Sequence, residues 1–202
     1  MTATTGNLGG HRAAGSTTLA GMTDGTSNTI VFSEITIGRG SGDMNPKSGV
    51  VNGDNAFRDP YRGMSYITPL DCQSHRGSGV LKLAGNITAA SFWGDKGHRW
   101  CDARACRTAF VAAVPPNGVS CRTNDENWAG NAAGSYHTGG VNVGLGDGSV
   151  TFASDSINAG RQELLPGADY DFNGELDRYT GPSTYGIWGA MASASAGDQG
   201  NL

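Results

Sequence analysis

The sequence predicts an α+β fold rich in β-structure, with an antiparallel sheet, few short helices and long Gly-rich loops cross-linked by disulfides. Three observations carry this prediction. The 202-residue chain contains 33 glycines and is 37% hydrophobic, which favours short strands and turns over helices. Its four cysteines, an even number, indicate disulfides in an exported protein. Finally, Asp147-Gly148 separates two runs of strand-forming residues and is a strong hairpin signal.

The hairpin prediction fixes a register. In a two-residue type I′ turn, Asp147 and Gly148 both take positive φ, which Asp-Gly tolerates. Leu145 then faces Val150. Val143 faces Phe152, so that the large apolar residues share one face of the hairpin. The opposite face carries only small or polar residues, and we expect it to be smooth.

Two further strands and one helix are predicted outside the hairpin. Thr29–Ile37 is rich in β-branched residues and is predicted to form a buried strand, in which Glu34 is expected to face solvent or a sheet edge. Thr108–Val114 is a second strand candidate. A short helix is predicted over Ile157–Leu165, capped at residue 155 or 156.

The chain length suits a single domain. The polar, Gly-rich residues 1–20 are predicted to form a flexible N-terminal arm. The globular domain follows over residues 21–192 and includes an acidic loop at 166–182. Residues 193–202 are rich in Ser, Ala and Gly and are predicted to form a flexible C-terminal tail.

Charge and hydropathy exclude some classes of partner. Lys and Arg number 14 against 18 Asp and Glu, a net charge of −4, so nothing attracts the chain to nucleic acid. No apolar run approaches the roughly 18 residues that a membrane span needs. Met1–Ala14 is polar and does not resemble a signal peptide.

The hairpin also carries a family signature. His137, nine intervening residues and Asp147-Gly148 form an H-x9-DG motif, and further matching blocks occur in order along the chain: Gly21–Glu34, Gly94–Trp100, Ala112–Cys121, Ser154–Ile157 and Thr184–Met191. On these blocks the chain resembles the bacterial prepilin-type, processing-associated H-x9-DG family. The resemblance implies an exported, pseudopilin-like globular domain. Members usually begin with an apolar helix, which this sequence lacks.

No catalytic constellation is evident in the sequence. A strand separates His137 from Asp147, so the ends of Val141–Gly146 lie on the order of 20 Å apart. We therefore expect Asp147 to be a turn residue and His137 to fix a loop by hydrogen bonding, with a place in a pocket as the alternative for His137. Neither a Gly-x-Ser-x-Gly elbow nor a His-Glu-x-x-His motif occurs. The sequence predicts a protein that is not an enzyme. The weakest alternative is a hydrolase whose active site is assembled from residues far apart in the sequence.

The cysteines allow two interpretations. Cys101 and Cys106 can close a small loop, which leaves Cys72 to pair with Cys121. The alternative is a zinc site that draws on the spacings C-x2-H and H-x2-C, with ligands among Cys72, His75, His98, Cys101 and Cys106. Disulfides are favoured because the chain has the composition of an exported protein.

The acidic loop carries the sharpest chemical pattern. Gly174 stands at position 6 of a calcium-binding loop, where a sharp turn is needed. Oxygen donors fall at positions 1, 3, 5, 7 and 9, namely Asp169, Asp171, Asn173, Glu175 through its carbonyl, and Asp177. Position 12 is Thr180 instead of an acidic residue. The spacing predicts a weak, structural calcium site.

Two functions fit these features. The first is a structural subunit that assembles with copies of itself into an extracellular filament or surface structure, as the family resemblance implies. The second is a secreted module in which the loops and Trp100, Trp128 and Trp188 bind a glycan or a protein. Both place the protein outside the cell or on its surface.

Overall fold

The computed structural model describes residues 18–40, 42–52, 68–83, 85, 87–89, 96–101, 107–122, 129–164, 182–195 and 197. Within them lie a 3-10 turn at Leu19–Gly21 and two α-helices, α1 (Pro69–Ser74) and α2 (Gly186–Met191). The strands are β1 (Ile30–Ser33), β2 (Val50–Asn52), β3 (Thr88–Ala89), β4 (Ser120–Arg122), β5 (Ala129–Gly130), β6 (Gly140–Leu145) and β7 (Val150–Ser154).

The strands form two sheets. The first has the order β1-β6-β7 and is antiparallel throughout. The second has the order β3-β2-β4-β5, with a parallel pair between β2 and β4. The prediction of a β-rich α+β fold with an antiparallel sheet and few short helices is confirmed. The predicted boundaries after residues 20 and 192 stay predictions.

The β6–β7 hairpin forms where the sequence predicts it, but its turn is different. The Leu145 N–H donates to the Ser149 carbonyl at 2.9 Å, and the Gly148 N–H donates to the Leu145 carbonyl at 3.0 Å. The loop therefore has three residues, a turn closed by a glycine bulge. Gly148 takes φ 87°, whereas Asp147 is not among the residues with positive φ. The predicted two-residue type I′ turn is wrong.

The longer turn shifts the register by one residue. Asn142 pairs with Phe152, and Gly144 pairs with Val150. Because side chains alternate along a strand, this shift moves the apolar residues of β7 to the other face. Val150 is 70% exposed and Phe152 is 45% exposed, whereas Ala153 is buried. The face predicted to be smooth therefore carries the exposed side chains of Val150 and Phe152, while Val141, Val143 and Leu145 of β6 stay buried on the other face as predicted.

Trp188 of α2 lies at the centre of the main core. Its indole N–H donates to the Val114 carbonyl at 2.8 Å, and its ring lies 5.9 Å from the Phe110 ring, centroid to centroid. The predicted strand over Thr108–Val114 is wrong, because a turn from Val111 to Val114 interrupts it. The segment packs Phe110 and Ala112 into the core as irregular chain instead.

The predicted helix over Ile157–Leu165 is also wrong. The described part of this segment, residues 157–164, consists of turns and extended chain. Gly160 takes φ 59°, a left-handed conformation that cannot continue a right-handed helix. A Cβ at this position would come within 2.3 Å of the Gly186 nitrogen, so close packing against α2 also requires glycine.

A disulfide between Cys72 and Cys121 fastens α1 to the second sheet, with 6.0 Å between the two Cα atoms. Thr68 caps α1 in a capping box with Asp71, and Pro69 occupies the first turn, so this short helix has strong local signals. The disulfide packs in a smaller core with Val51, Leu81 and Val119.

The Asp24 turn holds a segment from the far end of the chain. The Asp24 carboxylate accepts from the Ser193 hydroxyl at 3.3 Å and from the Gly197 N–H at 3.0 Å. Its backbone N–H donates to the Ala194 carbonyl at 3.4 Å. The first residues of the predicted C-terminal tail therefore lie against the N-terminal turn.

Candidate functional site

The outer face of the first sheet combines exposed apolar residues with one polar cluster. We define the outer face as Phe32, Asn142, Gly144, Val150 and Phe152. Phe32 of β1 is 58% exposed and pairs with Gly144, which pairs in turn with Val150. Apolar side chains therefore flank a glycine across all three strands.

Gly140 leaves room for the Phe152 ring on this face. A Cβ at Gly140 would come within 2.7 Å of the Phe152 ring and within 2.2 Å of the Ala153 carbonyl oxygen. The absence of a side chain lets the Phe152 ring lie over the strand, which explains why Phe152 is half-buried and not fully exposed.

Glu34 extends the ladder between β1 and β6. The strand is shorter than the predicted Thr29–Ile37, and Glu34 follows it directly. The Glu34 N–H donates to the Asn142 carbonyl at 3.2 Å. The Asn142 N–H donates to the Glu34 carboxylate at 2.8 Å, and the Asn142 side-chain amide donates to it at 3.3 Å. The carboxylate thus replaces a backbone acceptor of the ladder.

His137 reaches the same carboxylate. Its Nε2 lies 3.1 Å from Glu34 Oε1, and Nε2–H is the donor because an ionised carboxylate can only accept. The loop before β6 is held further by Ser135, whose hydroxyl accepts from the His137 N–H at 3.1 Å and donates to the Gly140 carbonyl at 2.6 Å. His137 therefore joins this loop to Glu34.

The pKa of the Glu34 carboxyl is lowered by its neighbours. Partial burial alone would raise this pKa, but the hydrogen bonds from the Asn142 backbone and side chain and the adjacent His137 together outweigh it. Glu34 is therefore an ionised acceptor at neutral pH, engaged with the chain itself.

Asn117 and Lys47 complete the support of the His137 loop. Asn117 takes φ 54°, and its side chain accepts from the Ser135 N–H at 2.8 Å and donates to Asp155 at 2.7 Å. The Lys47 ammonium donates to the Ser135 carbonyl at 3.1 Å. The loop is thus tied to three separate parts of the chain.

The two ends of the H-x9-DG motif serve the two ends of β6. His137 anchors the loop that precedes the strand. Asp147 accepts from the Ser149 hydroxyl at 2.7 Å and from the Ser149 N–H at 2.9 Å, and these bonds hold its pKa below the ordinary value. Gly148 supplies the positive φ of the turn. The structure brings His137 to Glu34 and Asp147 to Ser149, so the motif frames a strand.

The structure changes the cysteine assignments in part. Cys72 and Cys121 form the predicted disulfide. Cys101 is a free, exposed cysteine on a turn, so the predicted Cys101–Cys106 bridge is wrong; Cys106 lies outside the described residues. A zinc site that uses Cys72 is excluded because a disulfide sulfur is not a thiolate ligand.

No group of three or more His, Cys, Asp or Glu that could hold a metal occurs within the described ranges. The predicted calcium ligands Asp169, Asp171, Asn173, Glu175 and Asp177 lie outside those ranges. The calcium site therefore stays a prediction.

Lys96 is a buried residue that sequence reasoning missed. It is fully buried, and its ammonium donates to the Ser120 hydroxyl at 3.0 Å. Burial lowers the pKa of Lys96 to about 7, and the negative charge of Asp43 opposes part of that shift. The sequence around it, Gly94–Trp100, matches a family block but gives no periodic signal for burial.

A family model described as "Protein of unknown function (DUF1559)" matches residues 1–160. The chain belongs to this family.

DUF1559 is a family of prepilin-like H-x9-DG proteins associated with surface or exported proteins. The match includes Glu34, His137 and Asp147-Gly148, so the cluster described above lies within the DUF1559 region. No curated protein and no solved structure matches the chain. Of the helices described in this DUF1559 chain, none is long and apolar enough to cross a bilayer.

Proposed function

We propose that this DUF1559 protein is an exported, non-catalytic structural subunit that assembles with copies of itself into an extracellular filament or surface structure. The observation that supports this proposal best is the outer face, where Phe32, Val150 and Phe152 are exposed on one sheet. Contiguous exposed apolar side chains on a folded domain are typical of interaction surfaces.

The polar cluster beside these residues is built for rigidity. Glu34 accepts from Asn142 and His137, while Ser135, Asn117 and Lys47 hold the His137 loop. A face whose polar groups already bond within the chain loses little on burial against a partner, because few hydrogen bonds to water are given up. Such a face suits a permanent subunit contact.

The disulfide supports the proposed location. Cys72 and Cys121 are separated by 49 residues, and structural disulfides persist in oxidising compartments outside the cytosol. Calcium stabilisation by the 169–177 segment belongs to the same proposal and rests on its ligand spacing alone.

One observation supports the second candidate, a glycan- or protein-binding module. Trp100 is 80% exposed in the segment 96–101, beside Cys101. Trp188 cannot contribute, because it is buried in the core, and Trp128 lies outside the described residues. Within the described ranges Trp100 is thus the one exposed tryptophan, and it offers less apolar surface than the outer face.

Sedimentation velocity over a range of concentrations, followed by electron microscopy of the same samples, tests the proposed function. We expect concentration-dependent oligomers or ordered polymers. The double variant Val150→Ser/Phe152→Ser should shift the protein toward monomer, whereas Trp100→Ser, which removes an exposed aromatic ring outside the outer face, should not. A wild-type protein that stays monomeric at every concentration would contradict the proposal, and glycan binding lost in Trp100→Ser would favour the module.

A further inference from the structure

β7 is an edge strand with a polar backbone facing outward. In the sheet that the structure describes, its only neighbour is β6. Leu145 and Ser149 form a hydrogen-bonded pair, and so do Gly139 and Asp155 at the other end. Because hydrogen-bonded pairs alternate along an antiparallel ladder, the backbone groups of Val150, Phe152 and Ser154 face away from β6.

This edge lacks the usual protection. Natural edge strands carry Lys, Pro or inward-pointing charges that prevent pairing with another chain. β7 has the sequence Val-Thr-Phe-Ala-Ser, with no charged residue and no proline. The side chains of Val150 and Phe152 are exposed on the outer face beside it. Of the outward backbone groups, the Ser154 carbonyl already accepts from the Ile157 N–H at 3.0 Å.

We propose that β7 pairs antiparallel with β7 of a second copy of this chain, across a two-fold axis at Phe152. This inference rests on the proposed function and adds one contact to it, at the edge of the sheet beside the outer face. The two sheets join into one, and their outer faces become continuous.

The register follows from the outward-facing groups. Residues whose backbone groups point to the same edge alternate along a strand, and here they are Val150, Phe152 and Ser154. Ser154 contributes its N–H, because its carbonyl already accepts from the Ile157 N–H. Centring the axis on Phe152 pairs Phe152 with its own copy and Val150 with Ser154 of the copy. Any other centre leaves at least one of the three unpaired.

The charges permit this register. With the axis at Phe152, Asp155 lies opposite Ser149 of the copy. Asp147 lies opposite Ile157 of the copy. No two carboxylates are directly opposed, so the like-charge repulsion that destabilises cross-strand pairs is avoided in a chain of net charge −4.

The geometry of the contact limits both the strength of the association and the size of the oligomer. A five-residue edge buries less than the roughly 800 Å² per partner of a stable interface, so we expect a weak association. A two-fold contact also closes on itself and yields only dimers. A filament would therefore use this contact together with a second one elsewhere on the subunit.

A pair of charge variants tests the contact. Phe152→Lys places two ammonium groups directly opposite each other and should abolish association by the two-fold contact. Trp100→Lys makes the same change at an exposed aromatic residue outside the outer face and should leave that contact intact. Sedimentation equilibrium reports both, with circular dichroism to establish that each variant is folded.

Cross-linking provides the second measurement. In a Cys101→Ser background, Phe152→Cys brings two thiols to a hydrogen-bonded antiparallel pair with Cα atoms about 5.5 Å apart, within disulfide range. Mild oxidation should give a cross-linked dimer. Phe32→Cys in the same background should not, because the two β1 strands would lie roughly 24 Å apart at about 4.8 Å per strand.

The outcomes separate the inference from the proposed function. If wild-type protein associates but Phe152→Lys associates equally well and the Phe152→Cys variant fails to cross-link, the β7 contact is wrong and the structural-subunit proposal stands. If Phe152→Lys does not fold, the cross-linking result decides. Wild-type protein that never associates contradicts the proposed function itself.

Discussion

Lys96 offers the sharpest test of the energetics, because it is a fully buried amine with a pKa of about 7 against an ordinary value of 10.5. Between these two values the unfolded chain binds a proton that the folded chain releases, so stability rises with pH. At pH 7 the penalty of burying Lys96 is about 4 kcal/mol. By pH 9 it falls to about 2 kcal/mol.

The perturbation is Lys96→Met, which keeps the length of the side chain and removes the amine. At pH 7 the variant avoids the cost of about 4 kcal/mol for burying the ionisable amine, and it loses the hydrogen bond to Ser120, about 1 kcal/mol. The variant should therefore be more stable than wild type. The Ser120 hydroxyl keeps its other partner, the Ala132 N–H at 3.1 Å.

Denaturant unfolding at pH 7 and pH 9 measures the effect. Relative to Lys96→Met, wild type should gain about 2 kcal/mol over this interval, or roughly 4–8 °C in melting temperature. The control is Lys82→Met, an exposed lysine whose removal should leave the pH dependence unchanged. Parallel pH profiles for wild type and Lys96→Met would refute the reasoning, since any other group titrates equally in both.

Three further predictions concern the hairpin, the polar cluster and the acidic loop. Gly148→Val should destabilise the fold by more than about 1 kcal/mol in thermal melts, because φ is 87°, whereas Gly148→Asn, which tolerates positive φ, should cost less; equal melting temperatures would contradict the turn. Glu34→Gln should lose about 1–2 kcal/mol at pH 7. Since folding lowers the Glu34 pKa below 4.5, this loss should be present in full above pH 4.5 and disappear as the pH falls through the lowered pKa of the folded state. A difference between the two proteins that persists in strong acid would contradict the ionised Glu34 acceptor. Calcium should raise the melting temperature of wild type above its value in chelator, whereas the melting temperature of Asp171→Ala should be the same in both. An equal melting temperature of wild type in calcium and in chelator would contradict a calcium site at 169–177.

The sequence predicted that β6 and β7 pair, but it could not select their register. Gly146-Asp147-Gly148 allows either a two-residue turn or a three-residue loop, and hydrophobic grouping alone favoured the first. The structure adopts the second, which exposes Val150 and Phe152. Placing all apolar residues on one face assumes that all of them are buried. That assumption fails here, because Val150 and Phe152 are exposed.

The sequence singled out His137 and Asp147-Gly148, but it did not indicate which residues they contact. His137 was predicted to hold a loop, and Asp147-Gly148 to form a turn. The acceptor of His137, Glu34, lies 103 residues earlier in the chain, and no local pattern links two residues so far apart. The burial of Lys96 escaped for the same reason, since Gly-rich irregular segments carry no periodicity that marks an inward position.

The turn at Asp24 has a consequence for the order of folding. Asp24 and Gly197 are 173 residues apart, and Thr29 bonds to the Ser193 carbonyl over a separation of 164 residues. These bonds cannot form until residue 197 has been synthesised, and contacts of such long range slow folding because their loops close at a high entropic cost. The Asp24 turn therefore cannot be completed before both of these distant segments are available, however early the rest of the first sheet forms.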